Sequence, residues 1–301
     1  MEHTHHHTHH GIKASNLVIT MVLNLVITIA EVIGGLLSNS LALLSDALHN
    51  LGDTTAIFIA YIAHRISHRK NSPEKTFGYK RVEILAALLN AVVLLAIIIY
   101  LFFEAVNRLQ NPEPVKGGIM LAVAVIGLIA NLISVLLLRN DSAKNINVKA
   151  AYLHLLGDTI SSVAVVAGAL FIYFFEIIWI DAVITILVGI YLIKETFSVI
   201  RQAVDILMQA KPRRLDLDKV KKELEKLPEV DNIHHVHAWN LTDNDIHFEC
   251  HLDLKDDLRI SQTDKIKDVI YEILLNKFNI THVTIQYEFN CCDNKEMIHS
   301  R

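Results

Sequence analysis

The chain contains one pattern twice: Leu48-His49-Asn50-Leu51-Gly52-Asp53-Thr54 and Leu153-His154-Leu155-Leu156-Gly157-Asp158-Thr159. Both copies lie inside long apolar runs. In a helix, residues four apart share a face, so each copy aligns a His with an Asp. A lone ionisable residue in a membrane span costs roughly 2.5–3.5 kcal/mol, so four of them need a reason. Two imidazoles and two carboxylates form a tetrahedral set that suits Zn²⁺, which predicts a metal site.

Composition places the chain among membrane proteins with several spans. Of its 301 residues, 52% are hydrophobic, and a mean hydropathy of +0.37 is too apolar for an ordinary soluble domain. The long apolar runs lie within 14–207, whereas 211–301 has the charge density of a soluble domain. A net charge of −4 lacks the basic excess that nucleic-acid binding requires, and three cysteines indicate no disulfide framework.

Six apolar segments are each long enough for the roughly 20 residues that cross a bilayer. They cover residues 14–37, 41–64, 81–107, 115–138, 148–174 and 178–207. Lysine and arginine are concentrated in the loops after spans two and four, so those loops are predicted to be cytoplasmic. With six spans, the N- and C-termini then lie in the cytoplasm too. We expect a multi-pass protein of the cell or inner membrane rather than of an organelle.

The segment 211–290 predicts a small cytoplasmic α+β domain. The predicted helices are 216–227 and 261–277, and the predicted strands are 232–241, 245–254 and 281–289. The order αββαβ is that of a ferredoxin-like or metallochaperone-like domain. The whole chain then divides into a His-rich flexible N-terminus, a six-helix transmembrane domain, the α+β domain and a C-terminal tail, covering 1–13, 14–210, 211–290 and 291–301.

The two copies of the repeated pattern are predicted to reach matched depths in the membrane. Span two enters from outside at Leu41, so His49 and Asp53 lie about 12–18 Å into a hydrocarbon core about 30 Å thick. Span five enters from the cytoplasm and brings His154 and Asp158 to a comparable depth. Hydrogen bonds that merely join helices are the alternative, but two identical pairs at one depth favour a shared ion.

Further motifs accompany these pairs. Ser45-Asp46-Ala47 leads into the first copy, Phe77-Gly78-Tyr79-Lys80-Arg81-Val82-Glu83 precedes span three, and His237-Ala238-Trp239 lies in the soluble domain. With six spans, a His-rich terminus and a cytoplasmic α+β domain, nearly the whole chain resembles the cation diffusion facilitator (CDF) family, specifically its zinc-transporting branch.

The resemblance implies a homodimer in the lipid bilayer that exports Zn²⁺ from the cytoplasm in exchange for protons by alternating access. It also implies a preference for Zn²⁺ over Cd²⁺. In the family, a His rather than an Asp at the first ligand position of span two goes with this preference, and this chain has His49 there. Metal binding needs neutral imidazoles and therefore competes with protons. We hypothesise that protonation of His49 and His154, aided by the carboxylates, releases zinc on the proton-rich side.

The resemblance further implies a zinc site in the cytoplasmic domain, with a regulatory role. Carried over onto this chain, its candidate ligands are His234, His237, His251, His282 and Glu288. Asp264 and Gln286 stand where some relatives have histidines, so the composition of this site stays open. Surface histidines without metal are the alternative.

Several other polar residues keep two interpretations. Those within the spans are Asn24, Glu31, Asn90, Glu104, Asn131 and Asp181. Asn24 and Glu31 fit a water-filled path or, as the favoured interpretation, interhelical hydrogen bonds. Glu104 and Asp181 are expected near the outer surface. For His64 and His68, at the end of span two, interfacial histidines without metal are favoured over a loop metal site. Arg81 and Asp205 are a candidate ion pair.

Both ends of the chain also carry candidate metal ligands. The histidines of the first ten residues fit a metal collector or a dispensable tail; they are His3, His5, His6, His7, His9 and His10. Cys291 and Cys292 fit a tail zinc ligand or a tail without function.

Two other classes of protein fit the residues less well. An intramembrane zinc hydrolase needs an open coordination position and a general base, as in H-E-x-x-H. Neither copy of the pattern has a Glu between its ligands, so we do not expect an enzyme. A zinc-sensing receptor would need an output module, and nothing in 211–301 resembles one.

Overall fold

The computed structural model of this chain describes residues 14–142, 146–290 and 295–298. The His-rich run 1–13 and the pair Cys291 and Cys292 lie outside the described residues, so the interpretations of both remain predictions.

Six long helices fill the apolar part of the chain. They are α1 (Ala14–Ser38), α2 (Leu41–Ser67), α3 (Val82–Gln110), α4 (Gly117–Ser142), α5 (Ile146–Phe175) and α6 (Trp179–Leu207). Each begins within two residues of its predicted span. The fold class predicted from sequence, a polytopic helical membrane protein with an added α+β domain, is confirmed.

Five of the described helices are long and apolar enough to cross a membrane, namely Ile19–Ser38, Val82–Gln110, Gly117–Arg139, Ala151–Phe175 and Trp179–Leu207. The sixth helix, α2, is 27 residues long but falls short in composition. Polar residues such as His49, Asn50 and Asp53 lower its hydropathy, although its length is that of a membrane span. The least apolar helix is one of the two that carry the candidate ligands.

The described residues fall into two units. The first lies within Met1–Ile59 and Leu89–Val199, and the second within Ala60–Leu88 and Ile200–Arg301. Both ligand-bearing segments of the repeated pattern belong to the first unit. The second unit contains the α2–α3 connection and the α+β domain.

The start of α2 is held by a carboxylate from another helix of the first unit. Asp181, near the beginning of α6, accepts hydrogen bonds from Ser40 Oγ (2.5 Å) and from the backbone N–H groups of Leu41 (2.8 Å) and Ala42 (3.3 Å). The first N–H groups of a helix have no partner within the helix and favour a negative charge nearby. Asp181 therefore satisfies these donors and anchors α2 against α6.

Helices α4 and α5 complete the surroundings of α2. A buried cluster that includes Leu43, Met120 and Val165 joins α2, α4 and α5. Helix α4 also packs against α1. This packing holds the helices of the repeated pattern against neighbours on several sides.

The α+β domain of the second unit has the predicted αββαβ order. Its elements are α7 (Leu217–Leu224), β1 (Val230–Asn240), β2 (Ile246–Leu254), α8 (Ile260–Phe278) and β3 (His282–Glu288). The sheet order is β1-β2-β3, with β1 antiparallel to β2 and β2 parallel to β3. Buried residues of both helices and of β1 and β2, with partly buried residues of β3 packed against them, form one core on one face of the sheet. Alternate strand residues, including most histidines, therefore lie on the other face.

A β-bulge interrupts β1 between His234 and His237, where His235 has a φ of +48°. The extra residue shifts the alternation of side chains. A regular strand would direct His234 away from His235 and His237, whereas here the rings of His234 and His235 both contact the ring of His251. Two backbone N–H groups of the bulge, those of His235 and Val236, donate to the carbonyls of Glu296 (3.2 Å) and Met297 (2.8 Å).

The α2–α3 connection packs on the α+β domain within the second unit. Lys80 Nζ lies 2.5 Å from Asp245 Oδ2, and Thr281 donates to the other oxygen of that carboxylate at 2.9 Å. The Lys80 ammonium lowers the pKa of Asp245. The candidate pair of Arg81 with Asp205 is not formed, since Asp205 accepts from Arg213 at 2.9 Å instead.

We expect Asp181→Ala to destabilise the protein by about 2–3 kcal/mol, because buried donors at the start of α2 lose their acceptor. The measurement is thermal unfolding of the purified protein in detergent. Glu272→Ala, at an exposed position of α8, is the control and should leave the unfolding midpoint unchanged. Equal midpoints for the two variants would contradict the anchoring role of Asp181.

Candidate metal centres

The repeated pattern brings four side chains together in the first unit, two from α2 and two from α5. The ligand atoms of His49, Asp53, His154 and Asp158 all lie within 4.8 Å of one another. Across the helices, His154 Nε2 is 2.9 Å from Asp53 Oδ2 and His49 Nε2 is 3.3 Å from Asp158 Oδ1. Within each helix, the His–Asp separations are 3.6 Å and 3.7 Å. We refer to this group as the four-ligand site.

The spacing of the four-ligand site suits one tetrahedral ion. With metal–ligand bonds of about 2.0–2.1 Å, tetrahedral geometry separates neighbouring ligand atoms by about 3.3–3.4 Å. The four separations above, from 2.9 to 3.7 Å, bracket that value. Small side-chain adjustments would therefore suffice to centre an ion.

The four-ligand site is closed on one side and open on the other. The side chains of His49 and Asp158 are 9% and 6% exposed, whereas those of Asp53 and His154 are 29% and 45% exposed. An ion can therefore approach from the side of His154 and Asp53, while the opposite pair is shielded.

Buried polar residues surround the four-ligand site and connect its helices. Asp46 on α2 accepts from Ser161 Oγ (2.9 Å) and Ser162 Oγ (3.3 Å) on α5. Asn131 on α4 donates to Ser162 Oγ at 3.0 Å. These bonds fix how α2 and α5 pack against each other beside the ligands.

A second polar contact joins α2 to α1. Asn50 donates to Glu31 Oε2 at 3.0 Å, and both side chains are buried. Gly127 on α4 makes room for Glu31, since a Cβ there would lie 2.5 Å from Glu31 Oε1. Of the two interpretations given for Asn24 and Glu31, interhelical hydrogen bonding is observed for Glu31. Sequence reasoning missed Asn50, Ser161 and Ser162, although each lies within four residues of a ligand.

A second convergent group lies on the polar face of the sheet. His251 Nδ1 is 2.7 Å from Glu288 Oε1, and His234 Nε2 is 3.2 Å from Glu288 Oε2. His234 and Glu288 are buried, and His235 stacks on His251 with ring centroids 4.5 Å apart. We call the group of His234, His251 and Glu288 the domain site.

The domain site contains polar atoms whose partners are missing. Both ring nitrogens of His234 and Glu288 Oε2 are buried without a hydrogen bond, although His234 Nε2 and Glu288 Oε2 lie within ion-pair distance. Buried polar groups in folded proteins are almost always satisfied, so such an orphan requires an explanation. Imidazole nitrogens and carboxylate oxygens are zinc ligands, so a metal ion at this position would satisfy these atoms.

Two of the five domain residues suggested by the sequence lie outside the domain site. His282 on β3 is paired with His247 on β2 at the other end of the sheet, and their ring centroids are 4.5 Å apart. His237 contacts the ring of His235 at 5.1 Å but does not reach Glu288 in the convergent group. Burial lowers the pKa of His247, which therefore stays neutral at physiological pH.

His64 and His68 lie against each other at the end of α2, with ring centroids 4.2 Å apart. His64 Nδ1 is 3.1 Å from Glu83 Oε1, and Ser67 donates to the same oxygen at 2.7 Å. Both histidines are exposed. Within the described ranges they do not belong to a convergent group of three ligands, and the choice between interfacial histidines and a loop metal site stays a prediction.

Two family models match the chain. The model of the cation efflux transmembrane domain matches residues 17–208, and that of the cation efflux protein cytoplasmic domain matches residues 212–290. Together they cover nearly the whole chain.

Three similar proteins illustrate the relationship. The chain is 38% identical to the metal cation efflux system protein CzcD of Cupriavidus metallidurans, covering 97% of this chain and 92% of that protein. It is 38% identical to the zinc transporter ZitB of Pectobacterium atrosepticum, with coverages of 98% and 91%. It is 37% identical to the cadmium, cobalt and zinc/H(+)-K(+) antiporter of Bacillus subtilis, with coverages of 94% and 91%.

We expect the double variant His49→Ala/His154→Ala to bind one tightly held Zn²⁺ fewer per chain than the unaltered protein. Because the imidazoles must be neutral to bind, zinc affinity should also fall as the pH is lowered from about 7.5 to about 5.5. Isothermal titration calorimetry in detergent measures both. His64→Ala/His68→Ala, which also removes two imidazoles but outside the four-ligand site, should retain the full stoichiometry. Equal stoichiometries for the two double variants would contradict the four-ligand site.

In a His49→Ala background, we expect Zn²⁺ to raise the unfolding temperature through the domain site alone, since a ligand that binds only the folded state stabilises it. Adding His234→Ala should remove this shift, whereas adding His282→Ala should leave it in place. The measurement is differential scanning fluorimetry with and without Zn²⁺. An equal loss of the shift in both variants would show that His282 is a ligand as well.

Proposed function

The chain belongs to the cation efflux family, and from this membership we propose that it exports Zn²⁺ from the cytoplasm in exchange for protons. The protein is a multi-pass membrane transporter, and it works as a homodimer. The single observation that carries the choice of substrate is the four-ligand site, whose two imidazoles and two carboxylates suit zinc in number, type and spacing.

Charge balance in the four-ligand site links zinc to protons. Two carboxylates neutralise one Zn²⁺ while the imidazoles are neutral. When the ion leaves, the same carboxylates neutralise two imidazolium ions, and each imidazole already lies beside a carboxylate of the other helix, at 2.9 Å for His154 with Asp53 and 3.3 Å for His49 with Asp158. Because an uncompensated charge in the membrane is expensive, one Zn²⁺ exchanging for two protons keeps the site neutral throughout.

Access to the site changes between the two sides of the membrane. The exposed edge at His154 and Asp53 faces the cytoplasm in this proposal, and its closure would accompany opening at the buried pair His49 and Asp158. The lysines and arginines in the loops after spans two and four support a cytoplasmic location of both termini. The relatives are bacterial, which favours the cell or inner membrane.

The four-ligand site differs from the zinc site of a hydrolase. A catalytic zinc site keeps a coordination position open for water, whereas four protein ligands converge here. The family is one of transporters, consistent with a protein that is not an enzyme.

The domain site is proposed to bind a second, regulatory Zn²⁺. It offers two imidazoles and one carboxylate, which leaves a fourth position for water or for a residue of a second protomer. Its burial and its unpartnered ring nitrogens support retention of the ion rather than rapid passage.

Proteoliposomes with a zinc-sensitive dye inside and an imposed pH gradient test the transport proposal. The unaltered protein should move Zn²⁺ against the proton flow, and His49→Ala and Asp158→Ala should each abolish the flux because the site loses a ligand and its charge balance. His64→Ala, on the same helix outside the site, should transport normally. Unaffected flux in either ligand variant would rule out this site, and flux that ignores the pH gradient would rule out proton exchange.

A further inference from the structure

Helix α6 carries a carboxylate, that of Glu195, which is not one of the four ligands. Glu195 lies about 24 Å along α6 from its start at Trp179 and about 18 Å from its end at Leu207, given a rise of about 1.5 Å per residue. An ionisable residue at such a position in a membrane helix is costly and calls for a functional reason.

The packing of α6 on α5 places Glu195 level with His154. A Cβ on Gly168 would meet Ile180 and Ile184, and a Cβ on Gly157 would lie 3.4 Å from the Tyr191 hydroxyl. The two helices therefore run in opposite directions, with lower α5 numbers facing higher α6 numbers. Glu195 lies one turn beyond Tyr191 and His154 about one turn before Gly157, so the two residues lie at the same level of the antiparallel pair.

Tyr191 holds the Glu195 carboxylate in place. Its hydroxyl donates to Glu195 Oε1 at 2.7 Å. A carboxylate can accept at both oxygens, so the other oxygen remains available to a cation. Both residues are exposed, and the ligand beside them, His154, is the most exposed of the four. The carboxylate thus stands at the open edge of the four-ligand site.

We propose that Glu195, oriented by Tyr191, forms a waiting position for Zn²⁺ at the open edge of the four-ligand site, from which the ion passes to His154 and Asp53. This inference rests on the proposed transport function and adds a step before it. A negative charge at the mouth of a site of low dielectric constant concentrates cations there and raises their rate of entry. Glu195 is not one of the four ligands, so it contributes to capture and not to the final coordination.

The competing explanation is that the Tyr191–Glu195 bond only supports α6, as an i, i+4 contact on one helix. The two explanations differ in kinetics. Loss of a capture residue lowers the transport rate at low zinc concentration and has little effect at saturating zinc. A structural defect lowers the rate at every zinc concentration, including the maximal rate.

The test is Zn²⁺ flux into proteoliposomes over a range of zinc concentrations. We expect Glu195→Gln to raise the apparent KM on the order of tenfold, with the maximal rate within about twofold of the unaltered protein. The difference should shrink as ionic strength rises, because salt screens an exposed charge. Tyr191→Phe should raise the KM less, and Glu195→Asp, which keeps the charge, should stay close to the unaltered protein.

Glu272→Gln, on α8 of the other unit, removes one exposed negative charge and should change nothing. Calorimetry should show the same number of tightly bound zinc ions in Glu195→Gln as in the unaltered protein. An unchanged KM in Glu195→Gln, or a loss of maximal rate that Glu195→Asp does not restore, would overturn the waiting position while leaving the proposed transport intact. Absence of zinc flux in the unaltered protein would instead overturn the proposed function.

Discussion

The organisation of the first unit depends on one electrostatic constraint: ionisable groups in a membrane must be neutralised by each other or by an ion. His154 lies 2.9 Å from Asp53 and His49 lies 3.3 Å from Asp158, so each imidazole of one helix faces a carboxylate of the other. This cross-pairing is possible only if α2 and α5 keep a fixed register. The Asp181 anchor at the start of α2, and the serines of α5 that donate to Asp46, maintain that register.

The two candidate metal centres offer similar ligands in different surroundings. The four-ligand site has as many carboxylates as imidazoles and is the more exposed at Asp53 and His154, as suits a site that releases what it binds. The domain site has a single carboxylate, Glu288, and a buried histidine, His234, with no other partners. The domain site is better suited to retaining an ion. Beside it, backbone N–H groups of the bulge at His235 donate to the carbonyls of Glu296 and Met297.

The polar character of α2 follows from the same constraint. The helix that carries His49 and Asp53 is the one that fails the composition expected of a membrane span. Its remaining polar residues find partners on neighbouring helices, as Asn50 does with Glu31 and Asp46 with the serines of α5. Helix α2 therefore depends on the bundle for its stability. Hydrogen bonds to neighbouring helices offset the free energy of burying its polar side chains in the membrane, and a hydropathy scale does not count such bonds.

The sequence by itself determined the helices, the αββαβ order and the pairing of His with Asp, because hydrophobic periodicity and i, i+4 spacing are local properties of the chain. Only the tertiary structure decided which domain histidines meet Glu288, since the bulge at His235 breaks the side-chain alternation of a regular strand. It also decided that Arg213, rather than Arg81, is the partner of Asp205. The ligand contacts join residues far apart in the chain, and the packing of whole elements, which no local pattern encodes, brings them together.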